Sequence, residues 1–296
     1  MKLLSMKLDG EDRAGILIGD EALDLRAVDS SMATCKDALD IILLEPGRLN
    51  ALRLHQPDEE MLSKYRHAGA LHPIRNVALN SPVLHPGKIL AVGLNYAAHA
   101  SEGGRKPPER PLIFSKNVTA LIGPGDPIRL PRISDKVDYE AELAVVIGKQ
   151  GRSIASINAY EHIAGYTIMN DVTARDLQRS ESQWARAKGL DTFAPCGPWL
   201  VTADEMTDPH SLDISLRVNG EARQRSNTSD LIFKIPSLIE FISEDLTLLP
   251  GDIISTGTPS GVGAYMTPPV FLKQGDTIEI TIAGIGVLRN RVAGSD

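Results

Sequence analysis

The stretch Asp138-Tyr139-Glu140-Ala141-Glu142-Leu143-Ala144-Val145-Val146-Ile147-Gly148 reads as a β-strand with two carboxylates where a strand ordinarily carries apolar residues. Side chains alternate across a strand, so Glu140 and Glu142 share one face, their Cβ atoms roughly 7 Å apart. That spacing lets both carboxylates close on one cation. Tyr139, Ala141, Leu143, Val145 and Ile147 make the opposite face apolar and suited to a core. An acidic, solvated face on an edge strand accounts for the same pattern without a metal. A third carboxylate follows in Gly165-Tyr166-Thr167-Ile168-Met169-Asn170-Asp171, a β-prone run. Val172 to about Lys188 has helical character, which puts Asp171 at a strand-to-helix junction. Three converging carboxylates repel one another unless one keeps a proton. A hard divalent ion removes that penalty and prefers oxygen ligands, so Mg2+ or Mn2+ is the expected cofactor.

Composition narrows the setting. At 296 residues, 42% of them hydrophobic and 23% charged, the chain suits a globular protein with a sizeable core. A net charge of −7 with no block of like charge argues against a nucleic-acid surface. Cys35 and Cys196 lie far apart and outside any metal-ligand spacing, so they read as free thiols in a reducing compartment. The first residues lack the apolar run of a signal peptide, and no stretch reaches membrane-spanning length. The expected location is cytoplasmic.

Toward the N-terminus the pattern predicts a small α+β unit over residues 1–75. It comprises a meander through Lys2–Leu8, Gly15–Gly19 and Ala22–Leu25, then helical stretches from Ser30 to Glu45 and Leu49 to His67, with Pro46-Gly47 as a breaker. His55, His67 and His72 are expected at surfaces or turns. Residues 76–87, with Pro82, Pro86 and Gly87, form a connector, and 88–296 carry the chemistry.

Lys88–Gly93 is a buried-strand candidate leading into His99 and Glu102, three apart and therefore neighbours on a helical turn. A carboxylate orients an imidazole and raises its basicity, as a general base requires. Gly103-Gly104 and Pro107-Pro108 make this short helix a plausible lid. Lys116 suits either a solvated strand end or a pocket wall. The polar residues from Arg175 to Lys188 suit a wet helix face, although Lys188 opens a tight loop able to hold an ammonium near a site. Asn219-Gly220 is the strongest hairpin signal. Gly257-Thr258-Pro259-Ser260-Gly261-Val262-Gly263 is a Gly-rich loop whose amides and Thr258 can approach a carboxylate. It lacks the Lys of a P-loop.

In this order, Gly93-Leu94-Asn95-Tyr96 with His99 and Glu102, Asp138–Leu143, Asn170-Asp171 with Ala174-Arg175-Asp176 and Gln178, Lys188–Phe193, Asn219-Gly220-Glu221 and Gly257–Gly263 closely resemble the fumarylacetoacetate hydrolase family. The resemblance covers about residues 88–292. It implies an α+β, β-rich fold in which a mixed β-sandwich-like roll follows the small N-terminal domain, and a homodimer. It implies metal binding by Glu140, Glu142 and Asp171, a catalytic His99–Glu102 pair on a lid, and Lys188 facing substrate oxygens. Gln178 and Thr258 match substrate-contacting positions, with Gly257 and Tyr96 beside them. Leu94 departs from relatives that carry Arg, which removes one carboxylate contact. Trp184, Phe193 and Tyr265 are candidates for a distal pocket.

The expected reaction is metal-dependent hydrolysis of an acylpyruvate-type 1,3-diketo acid to pyruvate and a carboxylic acid, with fumarylpyruvate- or maleylpyruvate-like substrates from aromatic catabolism suggested by family habit. In it, His99 deprotonates a water, and Lys188 and the metal stabilise the pyruvate enolate. Oxaloacetate decarboxylation and keto–enol or 2-hydroxy-diene-dioate isomerisation use the same site. A non-catalytic oxo-acid binder is the alternative of another class, although it has no need of a general base.

Overall fold

The structure, a computed structural model, describes residues 1–54 and 57–295; His55 lies outside them. Its centre is the strand Ala141–Ile147, buried along its whole length and hydrogen-bonded on both edges. Antiparallel to it run Ile163–Asn170 on one side and Ile253–Ser255 on the other. The strand is therefore interior, and the solvated edge-strand explanation fails: Glu140 is 3% exposed and Glu142 1%.

The expected single strand is interrupted. Val137–Asp138 pairs instead with Thr173–Ala174 in a separate two-stranded ladder, leaving Tyr139 and Glu140 between the two strands. Side chains supply the bonds that the ladder loses there. Asn170 Oδ1 accepts the Glu140 amide at 3.0 Å, and Gln224 Oε1 accepts the Ala141 amide at 2.9 Å.

From this centre one twelve-stranded mixed sheet extends both ways. Beyond Ile253–Ser255 come the parallel Ile89–Gly93 and then Leu112–Lys116. Beyond Ile163–Asn170 come Ala194–Thr202 and then the N-terminal meander Lys2–Leu8, Glu11–Ile18 and Glu21–Asp24. A second, five-stranded sheet contains the hairpins Asp213–Val218/Glu221–Asn227 and Thr277–Ile282/Gly286–Ala293. In the first hairpin both turn residues have positive φ (Asn219 53°, Gly220 80°), as an Asn-Gly turn favours. Apolar side chains from both sheets merge into one core running from Leu3 to Val292.

Two helical expectations change. Pro46 starts the helix Pro46–Leu54 instead of separating two longer ones, since proline suits a first helical turn. The long helix expected after Asp171 is broken into Arg175–Ser180 and Ala185–Lys188. Trp184, just before the second piece, packs edge-on to Phe114 at 5.4 Å, and a side chain at Gly93 would meet its ring. That tertiary contact outweighs helical periodicity.

Candidate metal centre and catalytic pocket

Three backbone positions converge. Glu142 projects from the central strand, Glu140 from the break before it, and Asp171 directly follows the neighbouring strand, where its amide donates to Glu140 O at 2.9 Å. One carboxylate oxygen from each lies within 4.8 Å of the others. Glu142 Oε2 accepts from Ser255 Oγ at 2.5 Å and from the Gly257 amide at 2.9 Å. Glu140 accepts from Arg175 Nη2 and Lys188 Nζ, both at 2.6 Å. Asp171 accepts from Lys188 Nζ at 2.6 Å and Lys116 Nζ at 2.5 Å.

Burial opposes every charge here, and the partners decide which charges survive. Glu140 is held below the ordinary carboxylate range because Lys188 and Arg175 overcome its desolvation. Glu142 goes the other way: burial, then the Asp171 and Glu140 carboxylates, push it up to about 8. With Asp138, bound to Arg175 at 2.8 Å, four buried carboxylates face the cations Lys116, Lys188 and Arg175. The cluster is short of positive charge at Glu142. An all-oxygen donor set with that deficit fits a hard divalent cation.

His99 stands on the helix Ala97–Glu102, and its Nδ1 lies 2.8 Å from Glu102 Oε1. A carboxylate only accepts, so Nδ1 carries the proton and Nε2 is the basic nitrogen. Glu102 Oε2 also accepts the Gly261 amide at 2.9 Å, which ties the helix to the Gly-rich loop. Buried Asn95 anchors the start of the helix through Thr256 O at 2.7 Å and both backbone groups of Phe233.

A cavity of about 210 Å³ joins the two groups. Its walls include His99, Lys188, Gln178 and Thr258 together with the three carboxylates. Trp184 and Tyr265 also line it, as does Leu94, which has a φ of 58°. Four expected residues do not line it: Glu102, which bears on it only through His99, and Gly257, Tyr96 and Phe193. Gly257 spends its amide on Glu142, a ligand candidate, and is not among the lining residues. Tyr96 is 1% exposed, and its hydroxyl has no hydrogen-bond partner among the described residues. Phe193 is ordinary packing at 0% exposed.

Sequence reasoning passed over Arg175 and left Lys116 undecided. Both are buried and bridge carboxylates. The available signal for Arg175 was its position four residues after Asp171 at the start of a helix. Arg105 and Arg179 also line the cavity; they are exposed, and neither side chain has a hydrogen-bond or ion-pair partner among the described residues.

Comparison with known proteins bears on the same residues. The family model for the C-terminal domain of fumarylacetoacetate (FAA) hydrolase matches residues 88–293. A mitochondrial oxaloacetate tautomerase of Bos taurus is 50% identical over 222 residues, 74% of this chain and 71% of that protein. The crystal structure of a 5-carboxymethyl-2-hydroxymuconate delta-isomerase from Mycobacterium smegmatis is similar at TM-score 0.77 and 39% identity over the whole of both chains. Maleylpyruvate hydrolase from Sphingobium sp. SYK-6, solved with manganese(II) and pyruvate, is similar at TM-score 0.75 and 34% identity, also over the whole of both chains.

Proposed function

The chain belongs to the fumarylacetoacetate hydrolase family of metal-dependent enzymes, and from that premise we propose that it moves a proton at the carbon beside the oxo group of a 2-oxo dicarboxylic acid, its reaction being keto–enol tautomerisation of oxaloacetate. The observation that carries the reading is the placement of a Glu102-held imidazole, His99, and a buried ammonium, Lys188, on the walls of one cavity with three ligand-type carboxylates. Bound at Glu140, Glu142 and Asp171, Mg2+ or Mn2+ supplies Lewis-acid polarisation of the oxo group.

His99 Nε2 takes the C3 proton. The C3–H electron pair becomes the C2=C3 double bond, and the carbonyl π pair moves to the C2 oxygen. Lys188 places a fixed cation beside that developing charge. Returning the proton to the oxygen gives the enol, and the reverse sequence gives the ketone. Thr258 Oγ1 accepts from Gln224 Nε2 at 2.8 Å, which leaves its own proton to donate to a substrate oxygen. Arg105 and Arg179 match a second carboxylate at the cavity mouth. The cavity is smaller than the roughly 300–1,000 Å³ of drug-sized pockets, in keeping with a four-carbon acid.

A second reading, hydrolysis of an acylpyruvate, is favoured by the similarity to maleylpyruvate hydrolase. His99 would then deprotonate a water that attacks the distal carbonyl, and C–C cleavage would give pyruvate and a carboxylic acid. One experiment decides between them: the metal-stripped protein, with and without Mn2+, is given enol oxaloacetate, fumarylpyruvate and acetylpyruvate, and enol absorbance and pyruvate release are both followed. Metal-dependent loss of enol without pyruvate is expected. Pyruvate from an acylpyruvate would establish hydrolysis, pyruvate mainly from oxaloacetate would establish decarboxylation, and no turnover of any substrate would favour a binder. We also propose a homodimer, tested by light scattering, and a reducing compartment, suggested by the free buried thiols of Cys35 and Cys196.

A further inference from the structure

Asp138 neither lines the cavity nor belongs to the carboxylate cluster that can share an ion. It is nevertheless fully buried and accepts four hydrogen bonds. Oδ1 accepts the amides of Tyr139 at 2.9 Å and Gly263 at 2.8 Å; Oδ2 accepts the Ala264 amide at 2.9 Å and Arg175 Nε at 2.8 Å. We infer that Asp138 is a positioning residue that sets the metal-binding carboxylates and the His99–Glu102 pair in register with each other.

Two chains of contacts leave it. Through Arg175 it reaches Glu140 Oε1 at 2.6 Å and Gln178 Oε1 at 3.0 Å. Through the Gly-rich loop it reaches the Gly261 amide, which holds Glu102, and Glu102 holds His99. The loop approaches so closely that a Cβ on Gly263 would lie 2.8 Å from Asp138 Oδ1 and 1.9 Å from Val270 O. Glycine is therefore required at that contact. Arg175 stands between two carboxylates, and its planar fork meets Asp138 with Nε and Glu140 with Nη2. Without the charge of Asp138 the guanidinium has only Glu140 to neutralise, and it competes there with the bound ion. With Asn in its place, the amide oxygen still accepts the Tyr139 and Gly263 amides, but an NH2 group faces the Ala264 amide and Arg175 Nε, so the loop is pushed away there and Glu102 is freed to shift.

The test uses the full chain carrying Asp138→Asn, compared with Asp252→Asn. Asp252 is an equally buried carboxylate outside this network that accepts the Lys88 and Leu249 amides. Urea unfolding measures the fold, calorimetric titration measures Mn2+ affinity, and turnover is separated into kcat and KM. Asp138→Asn is expected to weaken Mn2+ binding by about 10–100-fold and to lower kcat with a smaller change in KM. Asp252→Asn is expected to lose stability while keeping Mn2+ affinity. Equal Mn2+ losses in both variants, or none in Asp138→Asn, would overturn the inference. Should Asp138→Asn not fold, Arg175→Lys keeps the charge but cannot span both carboxylates; wild-type Mn2+ affinity in that variant would overturn it equally. The Mn2+ arm is independent of the substrate, so failure of the oxaloacetate reading is distinguished from failure of this one.

Discussion

Without an ion, Glu142 is buried beside Asp171 and Glu140 with a hydroxyl and an amide as its hydrogen-bond partners, and its carboxyl is pushed up to about 8 from an ordinary 4.5. Between those values the folded apoprotein holds a proton that the unfolded chain has released. Apoprotein stability therefore falls as pH rises from about 4.5 to about 8. The ion competes with the same proton, so Mn2+ affinity is expected to rise by up to about tenfold per pH unit below that value and then level off. Calorimetric titrations between pH 6 and 9 in buffers of different ionisation enthalpy would show the released proton, and a flat pH profile would remove Glu142 from the ligand set. Lys188 gives a second expectation at this scale. Lys188→Met leaves Glu140 and Asp171 with one fewer cation, so turnover should drop by about 10²-fold or more. The same variant should melt much earlier in EDTA than in Mn2+, because breaking a buried ion pair costs about 3–5 kcal/mol that the ion offsets. Wild-type turnover in this variant would exclude Lys188 from the reaction.

The Gly-rich loop shows how an element takes its meaning from its partners. An anion near its amides was legible in the sequence, but the anions are the protein's own: Glu142 at Gly257, Glu102 at Gly261 and Asp138 at Gly263 and Ala264. Gly261 has φ 103°, and a Cβ there would lie 2.1 Å from Arg223 O. Gly261→Ala is therefore expected to cost about 1–3 kcal/mol in urea unfolding and to lower kcat, since Glu102 loses its support. Gly275→Ala has positive φ but open space around it, and it should cost less and leave kcat alone. Equal activity in the two variants would show that the loop does not position Glu102. The acidic triad and the His–Glu pair were legible because strand alternation and helical spacing are local rules. Arg175 was not, because its partners Asp138 and Glu140 lie 37 and 35 positions away and a local pattern sees only a polar helix face. The break before Trp184 was hidden for the same reason, since it answers to Phe114 and Gly93.

Across the whole molecule, the proposed units 1–75 and 88–296, with 76–87 between them, meet edge to edge in one sheet. The family match begins at residue 88, yet Lys2 and Leu3 pair with Val201 and Leu200, and the amino terminus donates to Thr202 Oγ1 at 2.7 Å. This pairing covers the Leu200–Val201 end of the strand Ala194–Thr202, which would otherwise present unpaired backbone groups. Leu3 belongs to the same apolar core as the central strand. If the units depend on each other through that core, Leu3→Ala should lower the stability of the entire chain by about 2–5 kcal/mol, in a single urea transition whose slope matches the wild type. Mn2+ should then raise the midpoint of that one transition, because an ion bound only by the folded state stabilises everything that unfolds with it. Two transitions, with only the later one responding to Mn2+, would instead show that residues 1–75 unfold on their own and that the metal centre stands without them.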